Sequence, residues 1–227
     1  VREVARTLGV SHVLEGSVRI EGARIRATVQ LINGSNGYNE WSKAFDRDLA
    51  DVFAIQREIA NAVVTELKLA LSLDSRQQLQ TEQTENVDAY LLYLQARDKL
   101  LSSPEESVAM EAGKLFAQAL QIDPDFSRAH AGLCEVSLHL YQLSSDTREF
   151  SKAEAACNEA AKRDPGRNSE IYLALARLYR FRGWNERAEE QVQKAIALAP
   201  EAADAHIELG EIRMAQSRAA EAEVSFR

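Results

Sequence analysis

Three prolines, Pro124, Pro165 and Pro200, constrain this chain more than any other feature. They lie 41 and 35 residues apart, and the residues ahead of them repeat. Ala119, Ala160 and Ala195 each stand five positions before their proline, and Ala112, Ala153 and Ala188 twelve before. Phe116, Cys157 and Val192 fill the apolar position between. A recurrence of this length predicts stacked helix pairs. Paired helices approach closely only where side chains are small, and a larger residue there overpacks the contact. Proline lacks an N–H and ends the second helix of each pair. The first helices agree: Leu133-Cys134 in one unit, Leu175-Ala176 with Tyr179 and Gly183 in the next, and His206 with Leu209-Gly210 in the last. Ala222 and Phe226 follow in that last unit, whose second helix is expected to be cut off. About seven extra residues in the 41-residue unit are expected around Gln142 to Glu149;. The first unit, Asn86 to Gln121, has Tyr90, Tyr93 and Leu94 but a weaker signature, with Pro104 after its loop.

The order A-x3-F-x2-A then proline, preceded by L-[GA]-x2-Y, resembles the tetratricopeptide repeat. That resemblance implies a superhelix whose concave face is lined by the first helix of each pair. Its second, fifth, ninth and twelfth positions fall on Arg128, Ala131, Glu135 and Leu138, and then on Glu170, Leu173, Arg177 and Arg180. In the last unit they fall on Asp204, Ile207, Glu211 and Met214. The candidate partner-binding residues are therefore Arg128, Glu135, Leu138, Glu170, Leu173, Arg177, Arg180, Asp204, Ile207 and Glu211. Arg177 and Arg180 share a stripe and could grip a peptide carboxylate. The plainer expectation pairs them with Glu170 or Glu211 across the groove.

The first 45 residues have a different period. Val1, Val4, Ala5 and Leu8 form a short amphipathic pattern stopped by Gly9, which suits a helix. From His12 the period is two: Leu14, Gly16, Val18 and Ile20 share one face with His12. After the turn at Glu21-Gly22, Ile25, Ala27, Val29 and Leu31 alternate with Arg24, Arg26, Thr28 and Gln30. Asn33-Gly34 and Asn36-Gly37 turn the chain again, and Tyr38 to Phe45 reads as a third strand. Trp41 and Phe45 are expected in the core. Asp48 is placed to cap a helix of roughly 25 residues that carries Val52, Ile55, Ile59, Val63, Leu67 and Leu71 on its apolar stripe. Asp46, Asp48 and Asp51 lack the glycine and terminal glutamate of a calcium loop. The fold class is α+β: a small three-stranded antiparallel meander with helices, then an all-α repeat superhelix, about two-thirds helix in all. The domains are expected at 1–75 and 86–227, joined near residues 72–86.

The runs Ala5-Arg6-Thr7-Leu8-Gly9-Val10 and Val13-Leu14-Glu15-Gly16-Ser17-Val18-Arg19 resemble the TolB amino-terminal-like (FlgO-like) domain of bacterial regulators. So do Arg24-Ile25-Arg26, Gln30-Leu31-Ile32, Trp41-Ser42, Phe45-Asp46-Arg47 and Ala54-Ile55-Gln56, over about residues 1–70. That family carries a strand and a helix before the point where this chain opens, so an open sheet edge or one filled by a partner chain is expected. The resemblance brings no catalytic residues with it.

No G-x-S-x-G, P-loop, G-x-G-x-x-G or H-E-x-x-H is present, so no enzyme is expected within these residues. No Cys/His spacing suits a four-ligand metal site, and no cofactor is expected. His130 and His206 occupy one repeat position, which favours packing, and acidic pairs such as Glu105-Glu106 and Glu189-Glu190 read as solvated faces. Residues 1–80 hold ten basic and ten acidic residues, whereas the remainder holds 17 and 25 and carries the whole net charge of −8. With no basic concentration, nucleic acid is not an expected partner. No apolar run nears the roughly 20 residues that span a bilayer. Cys134 and Cys157, inward on the two helices of one unit, are candidates for a disulfide in an oxidising compartment. Two buried thiols are the plainer reading.

The chain opens at Val1 without methionine and closes inside a helical pattern, as a piece of a longer protein does. The two resemblances together imply a non-enzymatic interaction and regulatory module of a bacterial signalling protein. Its active part would be a class III adenylate/guanylate cyclase or a winged-helix regulator outside these residues. A protein or peptide is the expected partner, with self-association through an exposed repeat or the sheet edge. An extracytoplasmic, periplasmic location is favoured over the cytoplasm. The alternatives are a free-standing adaptor of an envelope or secretion assembly and a small-molecule sensor with a pocket between the domains.

Overall fold

The computed structural model describes residues 1–67, 84, 86–164 and 166–226. The chain divides into two compact units, Val1–Glu82 and Gln83–Arg227.

The first unit opens with α1 (Arg2–Leu8), which ends at Gly9 in the left-handed conformation. Of its apolar residues only Ala5 is buried; Val4 and Leu8 are exposed, so the expected amphipathic stripe is not used. Strands β1 (His12–Glu21), β2 (Arg24–Asn33) and β3 (Asn39–Asp48) form an antiparallel meander in that order. The two-residue connection after Glu21 sets Glu21 opposite Arg24, and the register then runs back to His12 opposite Asn33. A bulge between Leu31 and Ile32 shifts the pairing with β3. Period-two alternation puts Ile25, Ala27, Val29 and Leu31 on one face, where they are buried with Phe45;. Trp41 is half-buried rather than fully in the core. Asp46, on the other face, accepts from both Arg24 and Arg26 at 2.5 Å.

A single 3-10 turn, Leu49–Asp51, leads into α2 (Val52–Glu66), which packs on β2 and β3. Asp48 makes no side-chain cap; its carboxylate lies 3.9 Å from Arg24 instead. The described part of the helix is 15 residues long. The expected continuation through Leu71, and the expected joint near 72–86, fall almost entirely outside the described residues.

The described elements of the second unit are all helices. Its pairs are α3 (Val87–Ser102) with α4 (Glu106–Ile122), α5 (Ser127–Ser144) with α6 (Thr147–Arg163), α7 (Ser169–Phe181) with α8 (Asn185–Leu198), and α9 (Ala203–Ala215) with α10 (Ala219–Ser225). Short polar residues start several of them. Asn86, Asp146 and Asn168 each accept a backbone N–H of the first turn;. The extra residues of the long unit do not form a loop. They extend both helices, to 18 and 17 residues against 13 and 14 in the following pair, leaving only Ser145 and Asp146 between. The last unit, expected to be cut off in its second helix, has a short one of seven residues.

The recurring alanines, Ala112, Ala119, Ala153, Ala160, Ala188 and Ala195, are all fully buried. At two points the approach is closer still. A Cβ at Gly132 would overlap the Phe116 ring, and a Cβ at Gly210 would overlap the Phe226 ring. His130 and His206 donate from Nε2 to the carbonyls of Pro124 and Pro200, at 3.0 and 2.7 Å. Their shared repeat position thus serves one purpose, which is to close the turn between one pair and the next.

Candidate functional site: the concave floor of the helical unit

The first helices of successive pairs lie side by side, α5 against α7 and α7 against α9, and their facing residues are charged. Glu135 on α5 accepts from Arg97 on α3 at 2.7 Å and also pairs with Arg177 on α7. Arg177 reaches Glu208 on α9 at 3.5 Å, and Arg180 donates to Glu208 at 2.6 Å. A second rank runs beside the first. Glu170 accepts from Arg128 through two bonds, 2.5 and 3.0 Å, and from the Tyr93 hydroxyl at 2.7 Å. The Arg128 guanidinium also sits 4.6 Å from the Tyr93 ring centroid, where ring and cation attract;. Four guanidiniums therefore share three carboxylates, and Asp204, which lines both recesses beside them, brings the charges level.

Burial alone would raise the Glu170 carboxyl, but the hydrogen bond and charge of Arg128 outweigh it and hold Glu170 below the usual carboxylate range. Tyr93 moves the other way: burial first, then the Glu170 charge, keeps its hydroxyl protonated as a donor. Burial also works against the charged forms of Arg97 and Arg128, yet Glu135 and Glu170 keep both raised.

Two recesses open on this floor. One of about 450 Å³ is lined by Leu100, Leu101, Leu138 and Phe181, with Arg97, Arg177 and Arg180 beside them. The other, about 340 Å³, touches Glu135, Glu170, Leu173 and Asp204. Of the residues expected from sequence, Arg128, Glu135, Glu170, Arg177 and Arg180 form the ion-pair floor, while Leu138, Leu173 and Asp204 line its recesses. Ile207 and Glu211 stand exposed on α9 apart from the pairs just described. Arg177 and Arg180 do pair across the groove, but with Glu135 and Glu208 rather than Glu170 or Glu211. Glu189 is not a simple solvated face either, since it accepts from Arg218 at 2.7 Å.

Three participants were missed. Arg97 follows the buried Ala96 as Glu135 follows Cys134 and Arg177 follows Ala176, so aligning the first unit on its small residue would have found it. Tyr93 carries no such marker. Glu208 is 4% exposed at an inward position, and nothing in a sequence announces a buried carboxylate there.

Residues 169–202 match the tetratricopeptide repeat family. A thermophilic tetratricopeptide-repeat protein of Thermus thermophilus, TTC0263, superposes with a TM-score of 0.52 at 18% identity, covering 78% of this chain and 86% of its own. The helical unit is a tetratricopeptide-repeat superhelix. The pilF protein of Pseudomonas aeruginosa aligns at 21% identity with a TM-score of 0.47, over 61% of this chain and 58% of its own. In sequence, this chain is 36% identical over 138 residues to a Rhizobium meliloti (strain 1021) protein named "Putative adenylate cyclase 3". That match takes in 61% of this chain and 23% of the relative, so the chain spans about a quarter of that protein's length. The tetratricopeptide fold is that of a protein-interaction module. Among the described residues no helix is long and apolar enough to cross a membrane.

Within the tetratricopeptide array, Cys134 and Cys157 are joined, with Cα atoms 5.2 Å apart. The two-thiol reading is therefore not the one the structure adopts. The bond ties α5 to α6 next to Glu135, the carboxylate that two arginines share, and by loop closure it is worth on the order of 3 kcal/mol.

A pH test follows from Glu170. Its folded-state pKa is depressed, so the unfolded chain binds the proton more readily. The stabilisation is present above the ordinary carboxylate value of 4.5 and lost as pH falls through the folded value;. Glu170→Gln should lower Tm at pH 7 and flatten the fall in Tm between about pH 5 and 3, read by calorimetry. An unchanged acid limb would contradict the assignment.

Proposed function

We propose that this chain is the non-catalytic, partner-binding region of a bacterial signalling protein. The FlgO-like resemblance of the first unit and the cyclase name of the Rhizobium meliloti relative support a parent with a cyclase, or a winged-helix regulator, elsewhere in its sequence. The partner is an extended protein or peptide segment lying along the concave face. The observation that carries this reading is the recess in which Leu100, Leu101, Leu138 and Phe181 form an apolar patch beside Arg97, Arg177 and Arg180, whose charges already have partners.

That chemistry changes what the groove would take. Arg177 and Arg180 are occupied, so a ligand carboxylate would first have to displace Glu135 or Glu208. Burying an aliphatic or aromatic side chain in the recess needs no such exchange and contributes about 1.5–3 kcal/mol. Leu101 is 76% exposed and therefore has apolar surface to lose on binding. The partner is a segment with a large apolar side chain.

The disulfide bears on the compartment. A bond between two buried sulfurs forms and persists where the surroundings oxidise, which supports an extracytoplasmic, periplasmic position;. Protein from its native host, denatured with iodoacetamide present and without reductant, should carry no alkylated cysteine and should gain two after reduction. Two cysteines alkylated before reduction would place the chain in a reducing compartment.

For the groove, peptides selected from a random display library against the immobilised chain should share a large apolar residue. Leu101→Asp should weaken their binding by about tenfold or more, roughly 1.4 kcal/mol, while the melting temperature stays the same. Peptides that bind Leu101→Asp and the parent chain equally would contradict the recess as the binding site.

A further inference from the structure

The recess of Leu100, Leu101, Leu138 and Phe181 has one charged neighbour without a partner. Glu135 holds Arg97 and Arg177, and Glu208 holds Arg180. Asp204 borders the same recess and the smaller one beside it, and it stands exposed at the start of α9. Every other residue around the larger recess comes earlier in the chain, so this carboxylate belongs to the space over the preceding pairs. On count it balances the floor, yet among the described residues it lies beyond ion-pair distance of every guanidinium there.

Helix α3 presents the same sign of charge. Its last residues, Leu100, Leu101 and Ser102, line the recess. The last four carbonyls of a helix have no partner within it. Pro104 has no N–H to return to Leu100, and Ser103 is extended rather than wound back. The Lys99 carbonyl accepts from the Ser102 hydroxyl at 2.8 Å. Among the described residues no backbone N–H donates to the carbonyls of Leu100, Leu101 and Ser102. The later helices of the array each turn a backbone N–H onto their last turn. The negative end of the α3 dipole is therefore left open at the recess.

An apolar patch beside an unpaired carboxylate and an open carbonyl end suits a ligand that joins an apolar side chain to a cation. Resting on the reading of this groove as the partner site, we propose that the partner segment is basic. A lysine or arginine within a few residues of its large apolar side chain pairs with Asp204 while the apolar side chain fills the recess. A carboxylate in the same place meets no vacant guanidinium and is repelled by Asp204 and the end of α3. The wider field has the matching sign, since residues 81–227 hold 17 basic and 25 acidic residues, and such a field draws a positive segment toward the groove.

Fluorescence anisotropy with labelled synthetic copies of peptides selected on the parent chain tests this, with circular dichroism to confirm that each variant folds. The selected peptides should carry a lysine or arginine close to the large apolar residue. Asp204→Asn should weaken their binding about threefold to fivefold at low ionic strength, and the loss should shrink as salt is added. Asp204→Lys should weaken it further, and should prefer a peptide whose cation is replaced by glutamate. Leu101→Ser, which removes apolar surface without adding charge, separates this claim from the groove itself. Peptides that lose affinity for Leu101→Ser, yet lack a cation or bind Asp204→Asn as well as the parent chain, would keep the recess as the site and overturn the basic partner. Selected peptides enriched in aspartate or glutamate beside the apolar residue would overturn it as well. Peptides indifferent to both substitutions would overturn the groove reading and this proposal with it.

Discussion

The helical unit depends on how closely its helices can meet. Phe116 lies against Gly132 and Phe226 against Gly210, with no room for a Cβ on either glycine. Ala176 and Val192 share one core cluster, and at the corresponding place in the second pair Cys134 and Cys157 are bonded. Each contact joins a small partner to a larger one or replaces the contact by a covalent link. Such pairings keep the space between the helices filled, as a densely packed interior requires. Neighbouring first helices then lie close enough for their charged residues to face one another.

The concave floor is a consequence of that spacing. Glu135, immediately after Cys134, falls between Arg97 and Arg177, which immediately follow Ala96 and Ala176. A half-buried carboxylate without those partners would be costly, and the guanidiniums would repel across the groove. Their charges are paired, which leaves the recess of Leu100, Leu101, Leu138 and Phe181 as the part with apolar surface still to cover. Specificity in such a groove comes from what fits the recess and what the paired charges refuse.

The repeat was legible because close packing admits few residue types, so Ala112, Ala153 and Ala188 mark it directly in the chain. The alternation of β2 was legible for the same reason, since a one-residue slip would turn Ile25, Val29 and Leu31 outward. Counting along the repeat singled out Glu135, Arg177 and Arg180, which pair between neighbouring first helices. Their partners could not be counted in this way, because ion pairs between residues a whole repeat apart depend on the rise between repeats rather than on any local pattern. The buried Glu208 shows the limit most plainly. Asp48 misled for a related reason: a capping residue and an ion-pairing residue look alike until the strand beside it, carrying Arg24, is in place.

The packing constraint is tested most directly by the stability of Gly132→Ala, measured by urea denaturation. In an unconstrained helix interior this change stabilises by roughly 0.5–1 kcal/mol. Here the new methyl meets the buried Phe116 ring, so a loss of about 1–3 kcal/mol is expected, largely recovered when Phe116→Leu accompanies it. A stabilised Gly132→Ala chain would show that the helices have slack at this contact, and the spacing of the concave floor would then need another cause.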